Sequence, residues 1–469
     1  MKRITDNGLR IADYGLRIAD NGLRIADYGL RIADYGLRIA AVAIAGLFAG
    51  TASAETWSLE QCIDYAMKNN ISIQQQEMRI VEGENSITEA KDRFLPQLDA
   101  GANQSFSFGR GLTAENTYAD RNTQSTSWNV GLSLPIFQGM AEYRGLKMAK
   151  ASLRQYVLET EALKDNVALN IISQYLQVLY AKEVAKTARV QLELAEFQVE
   201  RQKALIEAGK VMEATLYDLE ATAAQDRLQV VTADNDTKTA LVNLANLLQL
   251  RGIDGFDVQP LGDAQPPIPG PDEVYDSAMA NNNTILGARQ ALEVAKQNIS
   301  YAKSGYLPTL SFSAGLGSSY YKTSGYENEG FGSQMRHNFS KNLGFSLRIP
   351  LFDGFSTRNN VRRAQVQKTN AELQLDQRSV DLYKDIQLAY YQAVGARERY
   401  LTSEETLEKT RLSFESTRER FDLGRATQAD YEQAKNNLYR TEISRIQAHY
   451  EYLVRQKILM HYADPASFR

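Results

Sequence analysis

The chain has 469 residues, 43% of them hydrophobic and 23% charged, with a formal net charge of −4. One cysteine excludes a disulfide framework, three histidines leave little for metal or acid/base chemistry, and the slightly acidic balance gives no support for nucleic-acid binding. No uninterrupted apolar run reaches the roughly 18 residues a membrane-spanning helix needs, so helical spans are excluded.

The N-terminus opens on a repeat. GLRIADY at Gly8 recurs with near identity from Gly15, Gly22 and Gly29, and truncated from Gly36. A seven-residue period suggests a coiled coil. Each copy carries a glycine, however, which costs about 1 kcal/mol per helical position, so the repeat reads as an insertion. Ala40–Gly50 then forms an apolar h-region, and Ala52-Ser53-Ala54 a small-x-small cleavage site, with Lys2, Arg3 and Arg38 upstream. Residues 1–54 are expected to be a secretory signal peptide interrupted by that insertion. They carry seven Lys/Arg against five Asp, so the remaining 415 residues have a net charge of −6. Cys62 follows Leu59-Glu60-Gln61 rather than a lipidation context, and is expected to be a buried helix residue.

Those 415 residues read as one unit written twice. Ala66-Met67-Lys68-Asn69-Asn70 matches Ala278-Met279-Ala280-Asn281-Asn282, and Phe94-Leu95-Pro96 matches Tyr306-Leu307-Pro308, both at an offset of 212. Leu134-Pro135-Ile136-Phe137-Gln138-Gly139 matches Ile349-Pro350-Leu351-Phe352-Asp353-Gly354, and Gly209 matches Gly424, at an offset of 215. The expected divisions are a first repeat over 55–255, a Pro-rich linker over 256–271 and a second repeat over 272–469.

Each repeat has the same grammar. A helix opens it, with a capping box at Ser58-Leu59-Glu60-Gln61 in one and a first-turn Pro271 in the other. A second helix runs to the Leu-Pro pair. Two strands follow, in hairpins expected over 97–136 and 309–351. Leu98, Ala100, Ala102 and Trp128, Val130, Leu132, Leu134 alternate with polar residues in the first hairpin. Leu310, Phe312, Ala314, Leu316 and Leu343, Phe345, Leu347, Ile349 do so in the second. Polar stretches over 109–123 and 318–339 read as the loops joining each strand pair. Gly109-Arg110-Gly111 opens no helix, so it is not read as a nucleotide site.

Proline is then absent from Ile136 to Gln259 and from Leu351 to Asp464, which leaves room for long helices. Helical hairpins are expected over 141–249 and 358–462. Their first helices span roughly 100 Å each at 1.5 Å per residue. The stripe Ile172, Tyr175, Leu176, Leu179 marks the packed face. Gly209 and Gly424 stand where left-handed caps end these helices.

Strands of about ten residues with one apolar face have the length of transmembrane β-strands. Four cannot close a barrel, and an open edge cannot exist in lipid. Several chains must then share one barrel; two would give eight strands and three twelve, and a water-filled interior favours three. A soluble four-stranded sheet on a coiled coil would also explain the alternation.

The order of these motifs resembles the outer-membrane efflux protein family, the TolC-like channel-tunnels. It covers Trp57-Ser58-Leu59, Asn69-Asn70, both Leu-Pro pairs, both strand-end motifs and both tip glycines. The resemblance implies a mainly α chain with membrane β-strands. Three copies would form a twelve-stranded barrel continuous with a long α-helical tunnel. It further implies a homotrimer, outer-membrane lipid around the barrel, a periplasmic adaptor (membrane fusion) protein and an inner-membrane pump. Transport would be passive, without cofactor, metal or catalytic residues, as the exit duct of a tripartite efflux pump or type I secretion system. The alternative is a periplasmic adaptor or coiled-coil structural protein with no barrel.

By the same resemblance, adaptor docking falls on Gly209, Lys210, Val211 and on Gly424, Arg425, Ala426, Thr427, with Thr427 capping the returning helix and Asp430 three residues on. The constriction falls on Asp430 and Gln433, and on Thr215 and Asp218. A ring of Asp430 carboxylates would attract cations and raise its own pKa by like-charge repulsion. Phe421 and Ala426 stand where the family's locking tyrosine and arginine are found. The lipid-facing strand residues are Trp128, Val130, Leu132, Leu134, Phe312, Leu343, Phe345 and Leu347. His337, in an external loop, and His449 and His461, on the last helix, are expected to be surface or packing residues.

Overall fold

A computed structural model describes residues 55–112, 116–120, 122–209, 212–262 and 267–464. The signal-peptide expectation lies outside these residues. The described residues fall into two compact units: 55–56 with 254–257, and the remainder.

In chain order the elements are β1 (Glu55–Trp57), α1 (Leu59–Asn69), α2 (Ile71–Asp92), β2 (Gln97–Ser107), β3 (Arg110–Leu112), β4 (Tyr118–Asp120), β5 (Thr123–Gln138), α3 (Ala141–Glu207), α4 (Ala214–Leu247), β6 (Phe256–Val258), α5 (Pro271–Asn281), α6 (Asn283–Ala302), β7 (Thr309–Thr323), α7 (Phe331–His337), β8 (Ser340–Arg348), α8 (Ser356–Asp422) and α9 (Gln428–Ala463). A short 3₁₀ turn at Lys303–Tyr306 joins α6 to β7.

Local chemistry sets the helix starts. Ser58 Oγ accepts from the Gln61 amide while Gln61 Oε1 accepts from the Ser58 amide, the expected capping box. Asn70 Oδ1 accepts from the amides of Ser72 and Ile73, and Asn282 Oδ1 does the same for Thr284 and Ile285. The matched Asn-Asn pairs are therefore matched helix caps. Pro271 occupies the first turn of α5.

The duplication extends into the core. Ala66 and Ala278, Ile73 and Ile285, Ile171 and Ile386, and Leu244 and Leu459 stand at the offsets read from the sequence, and all eight are buried. Cys62 is 0% exposed, and its counterpart is the buried Val274. The expected α3 stripe of Ile172, Tyr175, Leu176 and Leu179 is buried as well. Burying each such side chain contributes about 1.5–3 kcal/mol. The Tyr175 hydroxyl lies 2.6 Å from the Gln259 carbonyl oxygen and 3.0 Å from that of Trp57.

Helices α3 and α8 each run 67 residues, or about 100 Å. Each packs along its return helix, α4 or α9, and α9 also packs along α3. The α3–α4 seam is built of Ala185, Ala188, Ala195, Ala223 and Ala233 with Val199 and Leu219. Small side chains let the two backbones approach along this length.

Both long helices start after the same backbone turn. Gly139 and Met140 have φ of +60° and +64°, and Gly354 and Phe355 have +65° and +63°. Two consecutive left-handed residues reverse the chain between strand and helix. At Gly139 a Cβ would meet the Ser304 carbonyl oxygen at 2.6 Å, so both backbone angle and space require glycine there.

The polar stretches are more structured than the sequence reading expected. β7 continues to Thr323, paired opposite Thr123–Ser127 of β5. Its residues here are Ser, Tyr, Lys and Thr, which form strand without the apolar alternation that would reveal it. The loop beyond contains α7, and His337 ends that helix. The 109–123 stretch contains the β3–β4 hairpin.

Candidate functional site: an amphipathic sheet and a helical tip

The sheet order is β2-β5-β7-β8, antiparallel throughout. The two hairpins thus meet along β5 and β7. Register brings the alternating apolar residues into rows. Ala102 faces Trp128; Ala100, Val130 and Leu316 form the next row. Leu98, Leu132, Ala314 and Leu343 follow, then Leu134, Phe312 and Phe345. A register shift between Pro135 and Phe137 then places Phe137 opposite Leu310, which faces Leu347. The bulge thus puts the Phe137 ring rather than the Ile136 side chain in this row.

All eight predicted lipid-facing residues therefore lie on one continuous face. Leu343 is 78% exposed and Phe345 73% exposed. The Phe312 and Phe345 rings stack in a tilted pair with centroids 5.1 Å apart. Trp128 to Phe137 covers about 30 Å at 3.3 Å per residue. A barrel tilt of 35–45° makes this about 23 Å of height, the apolar thickness of an outer-membrane barrel. The opposite face carries Asp99, Asn103, Asn129, Ser133, Ser313 and Asn342. β2 and β8 are the sheet's edges.

At the other end of the long helices, the second turn is a complete Schellman motif. Gly424 has φ +70°; its amide donates to the Phe421 carbonyl (2.9 Å), and the Arg425 amide donates to Arg420 (2.7 Å). Thr427 then caps α9. Asp430 Oδ2 accepts from the Thr427 amide (2.9 Å) and hydroxyl (2.7 Å), while the Asp430 amide donates to Thr427 Oγ1 (3.2 Å). These bonds, the side-chain one foremost, hold the Asp430 carboxyl below its ordinary value. Gln433 is exposed beside it, bonded to Asn437 at 3.0 Å.

The first turn differs. Gly209 has φ +67° and its amide donates to Ile206 (2.8 Å). Lys210 and Val211 lie outside the described residues. Helix α4 starts at Ala214, and its N-cap Glu213 makes no side-chain cap bond. Thr215 donates to the Met212 carbonyl (3.0 Å) and accepts from Gln202. Asp218 accepts from Thr222 only through its backbone carbonyl.

The outer membrane efflux protein family model matches residues 62–249 and 274–463, one segment in each repeat. The chain belongs to the outer membrane efflux protein family. Outer membrane efflux protein BepC of Brucella suis is 22% identical over 429 residues, covering 90% of this chain and 89% of BepC. Outer membrane protein TolC of Vibrio cholerae is 23% identical over 430 residues, covering 86% and 90%. The crystal structure of the CmeC outer membrane channel of Campylobacter jejuni superposes with a TM-score of 0.72 at 18% identity, covering 86% of this chain and 85% of that one. The protein is thus an outer-membrane efflux or secretion duct, and the adaptor alternative is not favoured.

The two matched segments each hold one long helical hairpin. Three contacts that tie these hairpins together near the tip escaped the sequence reading. Arg201 of α3 pairs with Asp422 of α8 (2.7 Å), its guanidinium 5.7 Å from the Phe421 ring centroid. Gln198 donates to the Tyr431 hydroxyl (3.3 Å), and Tyr431 stacks on Phe421 at 4.9 Å. Lys435 of α9, 1% exposed, lies 3.4 Å from Asp226 of α4 and 3.2 Å from Glu432. Phe421 thus serves as a stacking surface for Tyr431 and Arg201. The one available signal was Lys435 four residues after Tyr431, on the buried face of α9. His449 stacks on Tyr400 with centroids 4.9 Å apart, and His461 is buried, consistent with packing roles.

Proposed function

We propose that three copies close a twelve-stranded barrel in the outer membrane and continue it as a helical tunnel. The copies pass substrates outward without chemistry. One observation carries this: a four-stranded sheet with a continuous apolar face, exposed at Leu98, Leu343, Phe345 and Leu347, and two open edges, β2 and β8. The apolar face favours lipid, and lipid does not tolerate unpaired edges, so β2 of one copy must pair with β8 of another. Twelve strands leave a water-filled interior that eight would fill with side chains. Among the described residues no helix is long and apolar enough to cross a membrane.

At the tip, Gly209–Val211 and Gly424–Thr427 dock a periplasmic adaptor that joins the duct to an inner-membrane pump. Asp430, Gln433, Thr215 and Asp218 border the constriction. The first 54 residues are a leader that exports the chain.

The test is fractionation followed by electrophoresis of the outer-membrane extract with and without boiling. The expected result is a band at three times the chain mass that collapses to monomer on boiling. A soluble periplasmic monomer would overturn the duct.

A further inference from the structure

Two grooves flank the tip half of α8 and α9, and they carry opposite charge. The groove shared with α3 is acidic: Glu183, Glu404, Glu408, Glu415 and Glu442 outnumber Lys186, Arg411 and Arg445. All three of those cations are already paired, Lys186 with Glu183, Arg411 with Glu442 and Arg445 with Glu404.

The second groove, about 720 Å³, lies between α8 and α9. Its lining holds Lys409, Arg420, Arg425 and Arg440, and Asp430 is its one carboxylate. Among the described residues none of the four cations is in an ion pair. Arg420 donates to Thr417 Oγ1 (3.2 Å), and its charge acts on the Asp430 carboxylate. Asp430 is held by the Thr427 cap. Three positive charges per chain are thus uncompensated. The rest of the lining is mostly hydroxyl and amide, including Thr410, Ser413, Asn437 and Thr441. Exposed large apolar side chains lie outside this groove: Phe197, Leu228, Val231 and Val242 on α3 and α4, and Leu401, Leu412 and Leu423 along α8 and its C-cap. Apolar surface of that kind is stabilised by being covered, whereas a hydrated cationic groove is costly to cover.

We propose that the Lys409–Arg420–Arg425–Arg440 groove faces the water of the conduit at its tip end and makes the passage select for anionic solutes. This rests on the duct reading above. Repeated by every copy around the narrowest part, unpaired guanidinium and ammonium groups raise the local concentration of anions and repel cations. The groups are solvent-exposed, so their field is screened within about 8 Å at physiological salt and less at higher salt. Selectivity is therefore set where the passage is narrow and fades as salt rises.

The test is the reversal potential of the full-length purified protein in planar bilayers under a potassium chloride gradient. Chloride is expected to be preferred over potassium by about twofold or more. The preference should shrink in molar salt and shift towards potassium in Arg420→Gln/Arg425→Gln. Lys409→Gln/Arg440→Gln, at the other end of the groove, should shift it in the same direction. The unboiled trimer band checks that each variant assembles. A wild-type duct that prefers potassium, or a preference unchanged in both variants, overturns the proposal while leaving the duct reading intact. A protein that forms no conducting assembly overturns both.

Discussion

At the scale of single residues, the tip shows how one carboxylate is assigned by its neighbours. The family resemblance implies a constriction role for Asp430, and its carboxylate also completes the reciprocal cap with Thr427. The cap lowers its folded pKa, so its contribution is present above the unfolded value and is lost as pH falls through the lower, folded value. Asp430→Ala should therefore speed hydrogen exchange of the Thr427 amide at neutral pH, and the gap from wild type should close only in strong acid. An exchange ratio that stays constant across that range would remove Asp430 from the cap. The Lys435 cluster makes the opposite case. Asp226 is buried beside it, and desolvation pushes its carboxyl up despite the lysine. Asp226→Ala leaves Lys435 buried against Glu432 alone, and should destabilise the protein by about 3 kcal/mol in denaturant unfolding. The paired replacement Asp226→Leu/Lys435→Met should recover most of that loss. Equal losses in both variants would mean that packing, not charge, holds this contact.

At the scale of elements, the same strand-to-helix turn is used twice under different constraint. Gly139 and Gly354 share a left-handed backbone, but only Gly139 abuts another backbone, the Ser304 carbonyl. Gly354→Ala should cost about 1 kcal/mol from backbone conformation alone. Gly139→Ala should cost distinctly more, because the 3₁₀ turn at Lys303–Tyr306 must also move. Equal costs in thermal unfolding would show that the turn yields freely. The strands show what element-level pattern can and cannot reveal. Leu98 to Leu134 and Leu310 to Ile349 declare their face because apolar and polar residues alternate. Ser318–Thr323 extend β7 with polar residues on both faces, so only pairing with β5 identifies them as strand. Likewise Thr427 and Asp430 were legible as a cap from spacing alone.

At the scale of the whole molecule, the open sheet edges and the exposed apolar rows are complete only in an assembly. The heat-labile trimer proposed above would follow from that incompleteness: an assembly in which neighbouring copies pair the sheet edges should resist dissociation in detergent until its strands melt. The same incompleteness explains why the grooves matter. A groove on one chain becomes part of a ring only when copies surround a passage.

The sequence by itself determined the duplicated unit, the helix and strand periods, the caps and the apolar sheet face. All of these depend on residues within a few positions of one another or on a constant offset between repeats. Tertiary structure alone decided which carboxylates meet which cations. Asp226 meets Lys435 across 209 positions, and Arg201 meets Asp422 across 221. No local period encodes such pairs. They arise because long helices from different repeats lie side by side, so that a small change in their axial register would exchange every partner along the seam. The scarcity of proline is consistent with such a molecule, whose long helices tolerate no internal proline.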